Sequence, residues 1–331
     1  MAAIEQDAFK ETRDSGSGAW YRIAAELIAL VYIAIIAGTA GATGAFFVMF
    51  PELGALSHDV FTRPRGTWAG APILLAITPV LTGVVGIFFT NLLPYGYVSV
   101  LLTVGSAVAI LIALDSPIAP AISAGLLPLV LGIRSWWYPP AILFGTTLLA
   151  LLSIPWKRFA GSHLATAIRP AADLLDDAIE RPPHGRYWVA ALMVFVAGAV
   201  AVVKLTGLRF VLFPPLVVIG FEMMGHTDIC PWAKRPLALP VACFLTATGG
   251  WLFWRLLGVG PLTAGLSMGW GILVLRAFDL HVPPALAVAL LPLVMDSPTI
   301  AYPFAVGLGT LLMTLWFLLY QRLQYRLLPA G

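Results

Sequence analysis

Residues 114–132, LDSPIAPAISAGLLPLVLG, and residues 278–296, FDLHVPPALAVALLPLVMD, read as one stretch written twice, 164 residues apart. Outward from this pair, Trp68-Ala69 and Pro72 fall on Trp232-Ala233 and Pro236. Downstream, Tyr138-Pro139 and Gly145-Thr146 fall on Tyr302-Pro303 and Gly309-Thr310. Roughly a third of the positions from Trp68 to Leu149 are identical to their partners, without a gap. A shift of one residue carries the match upstream to Phe50-Pro51 and Phe213-Pro214. Self-similarity at a fixed offset decides the architecture before any local pattern does. Both copies are strongly apolar, and duplicated membrane proteins place their site between the repeats, near the bilayer midplane. Transport is therefore the first functional expectation.

Composition sets the class. The chain is 60% hydrophobic and only 11% charged, far from a soluble average, with a mean hydropathy of +0.92. A chain in lipid must satisfy its backbone internally, and the alternating ten-residue segments of a barrel are missing. The fold class expected is all-α: a polytopic transmembrane helical bundle with two homologous halves in tandem. A net charge of +3 gives no reason to invoke nucleic acid; the lipid bilayer is the expected surrounding. Cys230 and Cys243 have no counterparts in the first half and read as lone apolar residues, not a disulfide.

A spanning helix needs about 20 apolar residues. Long segments lie near Tyr21–Gly41, Ala69–Leu93, Tyr95–Leu114 and Tyr138–Ile154, then Tyr187–Leu205, Leu237–Leu257, Pro261–Phe278 and Ile300–Tyr320. Each half adds two short segments, Phe50–Ser57 and Pro117–Gly132, then Phe213–Met224 and Val282–Met295. All four short segments carry proline near their start, which suits the first turn of a helix. The organisation expected is a polar tail (1–20), a first repeat (21–158), a linker (159–186), a second repeat (187–326) and a tail (327–331). Within the linker, Leu174, Leu175 and Ile179 of AADLLDDAIE recur at helical spacing and predict a helix lying on the membrane interface.

Charge orients the chain. If all six segments of each half cross, both termini and the linker share one face. Of 19 Lys and Arg, only Arg134, Lys204, Arg209 and Arg255 then fall on the other face. The basic face is cytoplasmic by the positive-inside rule, in a cell inner (plasma) membrane. An even count makes the halves parallel. Four crossings per half with two re-entrant segments would place the termini alike.

Ionisable groups at membrane depth are functional candidates. The stretch FPPLVVIGFEMMGH holds Glu222 and His226, and Asp228 follows; its partner FPELGALSHDVF holds Glu52, His58 and Asp59. Burial of Glu222 would suit it to carry a proton. Asp115 and Asp279 precede proline-led segments, where a carboxylate can cap free amides. Interrupted segments at matching positions mark binding sites whose helix N-termini attract anions. The candidate substrate-binding residues are Pro51, Glu52 and Gly54, Pro120 and Ala121, Glu222 and His226, and Asp279, His281, Pro283, Pro284 and Ala285. Packing kinks are the plainer explanation of the prolines. No catalytic residue, metal site or cofactor is expected: no spacing fixes a metal geometry, and no Walker-type phosphate loop occurs.

The run RAFDLHVPPALAVALLPLV at 276–294 resembles the signature of HPP-family integral membrane proteins, a His-Pro-Pro-Ala block after a small-residue-rich helix. Residues 211–225 and 304–323 are similar to that family's proline-led segment and closing helix. The resemblance covers the chain from about Tyr187 and reaches the first half through the repeat, implying a tandem duplication of an HPP unit. His281, Pro283, Pro284 and Ala285 match the motif, with Val282 inserted and Leu286 where the family has Gly. In the first half Pro117, Pro120 and Ala121 keep the skeleton without the His. The resemblance implies a transporter or channel, in a family that includes nitrite transporters. The favoured solute is a small anion such as nitrite. An intramembrane enzyme acting on lipid through His226, Asp228, Asp279 and His281 stays open, as do a scaffold subunit and a homo-oligomer.

Overall fold

The computed structural model describes residues 16–164, 171–183, 187–230, 232 and 235–327; most of both tails, part of the linker and Lys234 lie outside them. Among the described residues every regular element is helical. The first half comprises α1 (Gly16–Thr43), α2 (Glu52–Thr62), α3 (Pro72–Leu92), α4 (Tyr97–Ala113), α5 (Ala121–Leu131) and α6 (Tyr138–Leu164). A linker helix, α7 (Ala171–Glu180), follows. The second half repeats the order with α8 (Tyr187–Thr206), α9 (Pro214–Gly225), α10 (Ala238–Leu257), α11 (Pro261–Ala277), α12 (Pro284–Leu290) and α13 (Ala301–Leu327). Proline starts the four short helices as expected. Pro51, Pro120 and Pro283 are the N-caps of α2, α5 and α12, and Pro214 is the first residue of α9. Beyond Leu290, α12 tightens into a 3-10 turn at Leu291–Val294, where Pro292 has no amide to continue the ladder.

Helix α3 shows what surrounds the protein. It turns Ile73, Ile77, Leu81, Phe88 and Leu92 outward and buries Thr78, Thr82, Gly83, Gly86 and Thr90. That is the reverse of a soluble amphipathic helix. It is the pattern of a helix whose outer medium is hydrocarbon and whose partners pack through small residues. Five helices (within α1, α3, α6, α8 and α13) are long and apolar enough to cross a membrane, and α4, α5 and α12 are shorter and apolar. The fold is an all-α, membrane-embedded helical one.

Thr78 bonds Ser116 across 2.9 Å, Thr82 Oγ1 donates to the Ala121 carbonyl at 2.6 Å, and Asn91 donates to the Arg134 carbonyl at 3.0 Å. At 1.5 Å per residue, α5 thus begins about 15 Å along α3, near mid-depth. Positions 164 apart carry matching geometry. Tyr138 Oη donates to the Ala124 carbonyl at 2.8 Å, and Tyr302 Oη to the Val288 carbonyl at 2.5 Å. An ideal Cβ on Gly86 would lie 2.0 Å from the Gly125 carbonyl oxygen; one on Gly250 would lie 2.0 Å from that of Ala289.

Asp115 and Asp279 correct an expectation. They take left-handed φ values of 46° and 51° and close the preceding helices α4 and α11. The Asp115 and Ser116 amides return to Ile112 and Leu111, and those of Asp279 and Leu280 to Arg276 and Leu275. That is the Schellman C-terminal motif, and aspartate tolerates its αL position better than most residues. Neither aspartate starts the helix that follows.

The halves interlock. Helix α1 packs on α11 of the other half, and α8 packs on α4; α2 packs on α12, and α9 on α5. The proline-led helices thus meet between the halves. The linker helix α7 lies over this junction, against α9 and the single turn Thr67–Gly70.

Candidate functional site

The linker helix forms as expected and turns an acidic stripe toward the protein. Ile179 is buried, but so are Asp176 and Glu180, while Leu174 and Leu175 are exposed. The inward stripe is acidic because a buried cation waits beneath it. Arg63, at the end of α2 and 5% exposed, is that cation. Its Nη1 donates to Asp59 Oδ1 at 2.7 Å and to Glu180 Oε1 at 2.5 Å. Its Nη2 donates to Asp177 Oδ1 at 2.5 Å and to the Asp173 carbonyl at 3.1 Å. The Thr67 amide also donates to Asp177 Oδ1, at 3.2 Å. A planar guanidinium suits such a fork of carboxylates.

His281, in the loop before α12, joins from the second half. Its Nε2 lies 3.5 Å from Asp176 Oδ2 and 3.7 Å from Asp59 Oδ1. Its ring sits beside that of His58, with centroids 6.5 Å apart. His58 Nε2 in turn lies 4.0 Å from Glu26 of α1, which pairs with Arg276.

Charge shifts the groups outside the spanning segments. Burial opposes the Arg63 charge, but Asp59, Glu180 and Asp176 outweigh it and raise its pKa. Burial likewise pulls His281 down, and the carboxylates of Asp176 and Asp59 carry it above its ordinary value. Asp176 is raised chiefly by burial, against the pull of His281 and Arg63. Glu180 is raised well above the carboxylate range by burial and by Asp59, despite Arg63. Three carboxyls on one guanidinium cannot all be balanced by it.

Beneath α7 lies a small pocket. Asp176 and Glu180 roof it, Trp68 and Trp232 flank it, and Glu222 and His281 reach in from α9 and the pre-α12 loop. The two tryptophans are 164 apart and equally buried. Trp68 Nε1 donates to the Pro117 carbonyl at 2.9 Å, which ties the loop before α5 to the turn before α3. Glu222, in the last turn of α9, is 2% exposed and within electrostatic reach of Asp176, Glu52 and Asp59. Glu52, at the first position of α2 and 1% exposed, lies beside Ser123 of α5. Among the described residues Glu222 Oε2 has no hydrogen-bond partner, and Glu52 has Ser123 beside it but no bond of ordinary geometry. A trail of carboxylates therefore leads from α7 toward mid-depth.

The structure brings together Glu222, His281 and Pro283 of the expected site residues at the pocket, with Glu52 deeper in. Pro51 and Gly54 flank Glu52 on α2; an added Cβ on Gly54 would stand 2.4 Å from Leu290 of α12. Of the four short-helix starts, that of α12 reaches the pocket through Pro283. Ala121 and Ala285 are fully buried, Pro120 and Pro284 with them, in close helix packing. Glu52 itself occupies the favourable end of α2. His226 caps the end of α9 and is part-buried, while Asp279 and Asp228 are exposed. Among the described residues no group of three or more His, Cys, Asp and Glu is arranged to hold a metal ion, and Cys230 and Cys243 are buried and form no disulfide.

Arg63, Asp59, Asp176, Asp177 and Glu180 were not among the expected site residues. Asp59 and Arg63 stand at the i, i+4 spacing of a helical ion pair, which was a usable signal. Nothing in the sequence places α7 over them.

Fold and site define an all-α membrane-embedded protein with an acidic, capped pocket between two interlocked halves. No protein-family model, curated protein or solved structure matches the chain.

Proposed function

We propose that this chain is a membrane transporter, built as a tandem duplication of an HPP-like six-segment unit, that moves a small solute together with protons. The observation that carries the reading is the pair of buried carboxylic groups Glu222 and Glu52, set in series between the pocket and mid-depth. Ionisable side chains in such positions are expensive, and proton relays in transporters are built from them. The paired geometry at the 164-residue offset supports the duplication, and the interlocked packing supports a site between the halves. The favoured solute is a small monovalent anion such as nitrite. In an acid-lined interior it would pass with its charge offset by a proton carried on Glu222 or Glu52. Both termini and the linker are taken as cytoplasmic.

Flux of nitrite and formate into proteoliposomes, with and without an inward proton gradient, tests the reading. The gradient should drive accumulation, and Glu222→Gln should abolish that drive with the fold intact. The excess of carboxylates favours one other reading, a small cation exchanged for protons. Proton release driven by a sodium or potassium gradient, with no anion flux, would establish that reading instead. Absence of both fluxes would promote the lipid-acting enzyme.

A further inference from the structure

Arg63 is buried at the inner junction, yet most of its carboxylate partners come from another element. Asp59 lies on its own helix, one turn earlier, and stays with it wherever α7 goes. Asp177 and Glu180 both belong to α7. Elsewhere α7 sets Asp176 3.5 Å from His281, buries Ile179 and accepts at Asp177 from Thr67, while Leu174 and Leu175 are exposed. With α7 lifted, Arg63, His281 and the pocket leading to Glu222 would be open from the same side. The guanidinium would then present a fork shaped for one carboxylate or a planar oxyanion.

We propose that Arg63 is an oxyanion-binding residue whose site is filled in this state by the carboxylates of α7, so that the linker helix is a built-in competitor closing the pocket. The ligand class is a small carboxylate or planar oxyanion. That assignment rests on the transport reading for its physiological meaning, whereas the latch itself stands on the Arg63 geometry. Entry of the ligand exchanges one set of charge-assisted hydrogen bonds for another, so the helix is displaced without leaving the arginine bare.

The test uses the full chain with Cys230 and Cys243 replaced by Ser and a reporter at Ile179→Cys, on the buried face of α7. Maleimide labelling in detergent should be slow in this parent. Asp177→Asn with Glu180→Gln should accelerate it about tenfold or more. Sodium formate should accelerate labelling of the parent saturably, beyond sodium chloride at equal ionic strength, and Arg63→Lys should remove the formate response. Amide exchange of α7 gives the same readouts without a reporter if the cysteine loosens packing. An unchanged rate in the Asp177/Glu180 variant, or a formate effect no larger than that of chloride, overturns the proposal. Formate flux measured on the same preparation separates the two ideas. Flux without formate-dependent opening removes the latch and keeps transport; opening without flux does the reverse.

Discussion

At the scale of single residues, the proposed proton sites are side chains that the fold has stripped of water. Glu52 is the deeper of the two carboxyls in series. Glu52→Gln should lower proton-driven flux by an order of magnitude or more while leaving counterflow of solute measurable, since only the proton site is lost. Retention of full gradient-driven accumulation in both Glu52→Gln and Glu222→Gln would remove the relay. A pH dependence follows from the groups under α7. Glu180, Asp176 and His281 all have raised pKa values in the docked state. For His281 the docked state holds the proton more tightly than the released one, because the carboxylate of Asp176 arrives with α7, so the His281–Asp176 contribution to docking is lost as pH climbs through the raised His281 value. Arg63, Asp59, Asp177 and His58 share this environment, and Arg276 and Glu26 adjoin it. Labelling at Ile179→Cys, corrected against a free thiol, should rise from pH 5 to pH 9, and His281→Gln should flatten that rise. A rate falling with pH would reverse the assignment. Ala121→Asp and Ala285→Asp, placed at helix starts with no room around them, should cost the fold and not the solute site.

At the scale of elements, two glycines set the closest approaches. Gly86 on α3 faces the Gly125 carbonyl of α5, and Gly250 on α10 faces that of Ala289 on α12. An added methyl at either would meet backbone, which cannot turn aside as a side chain can. Gly86→Ala and Gly250→Ala should each destabilise by about 1–3 kcal/mol or more, read as a lowered midpoint in detergent thermal unfolding. Gly105→Ala, with nothing within 4 Å, should be neutral. Equal effects at all three positions would refute the packing argument. The linker helix shows why elements need context: its apolar spacing marked the helix, but only Arg63 explains why Asp176 and Glu180 are buried.

At the scale of the whole molecule, interlocking makes the halves interdependent. Helices α1 and α8 each pack on the opposite half, so neither half alone can bury its own surfaces. Residues 1–164 or 187–331 expressed singly should be degraded or aggregate, and co-expression should restore a co-purifying pair. Survival of one half as a folded monomer would contradict the interlock. Orientation has its own check. Cysteines at Gly16, Gly161 and Gly331 should resist impermeant reagents in intact cells, and labelling of Gly161→Cys from outside would overturn the six-plus-six arrangement.

Hydrophobic composition, segment lengths and proline placement by themselves determined that the chain is helical, that it belongs in a membrane and where most helices begin. These are local properties: twenty apolar residues need lipid, and proline can start a helix but hardly continue one. The self-similarity at one offset was legible because identical residues need no structure to be counted. Glu222, Glu52 and His281 were legible as costly residues in apolar surroundings. Only the tertiary structure decided that Asp115 and Asp279 end helices, because a left-handed φ is invisible in the residue name. Only it decided that α7 turns its acids inward and that Arg63 holds them. A charge is exposed or buried according to what stands opposite it, and here the opposite group lies more than a hundred residues away.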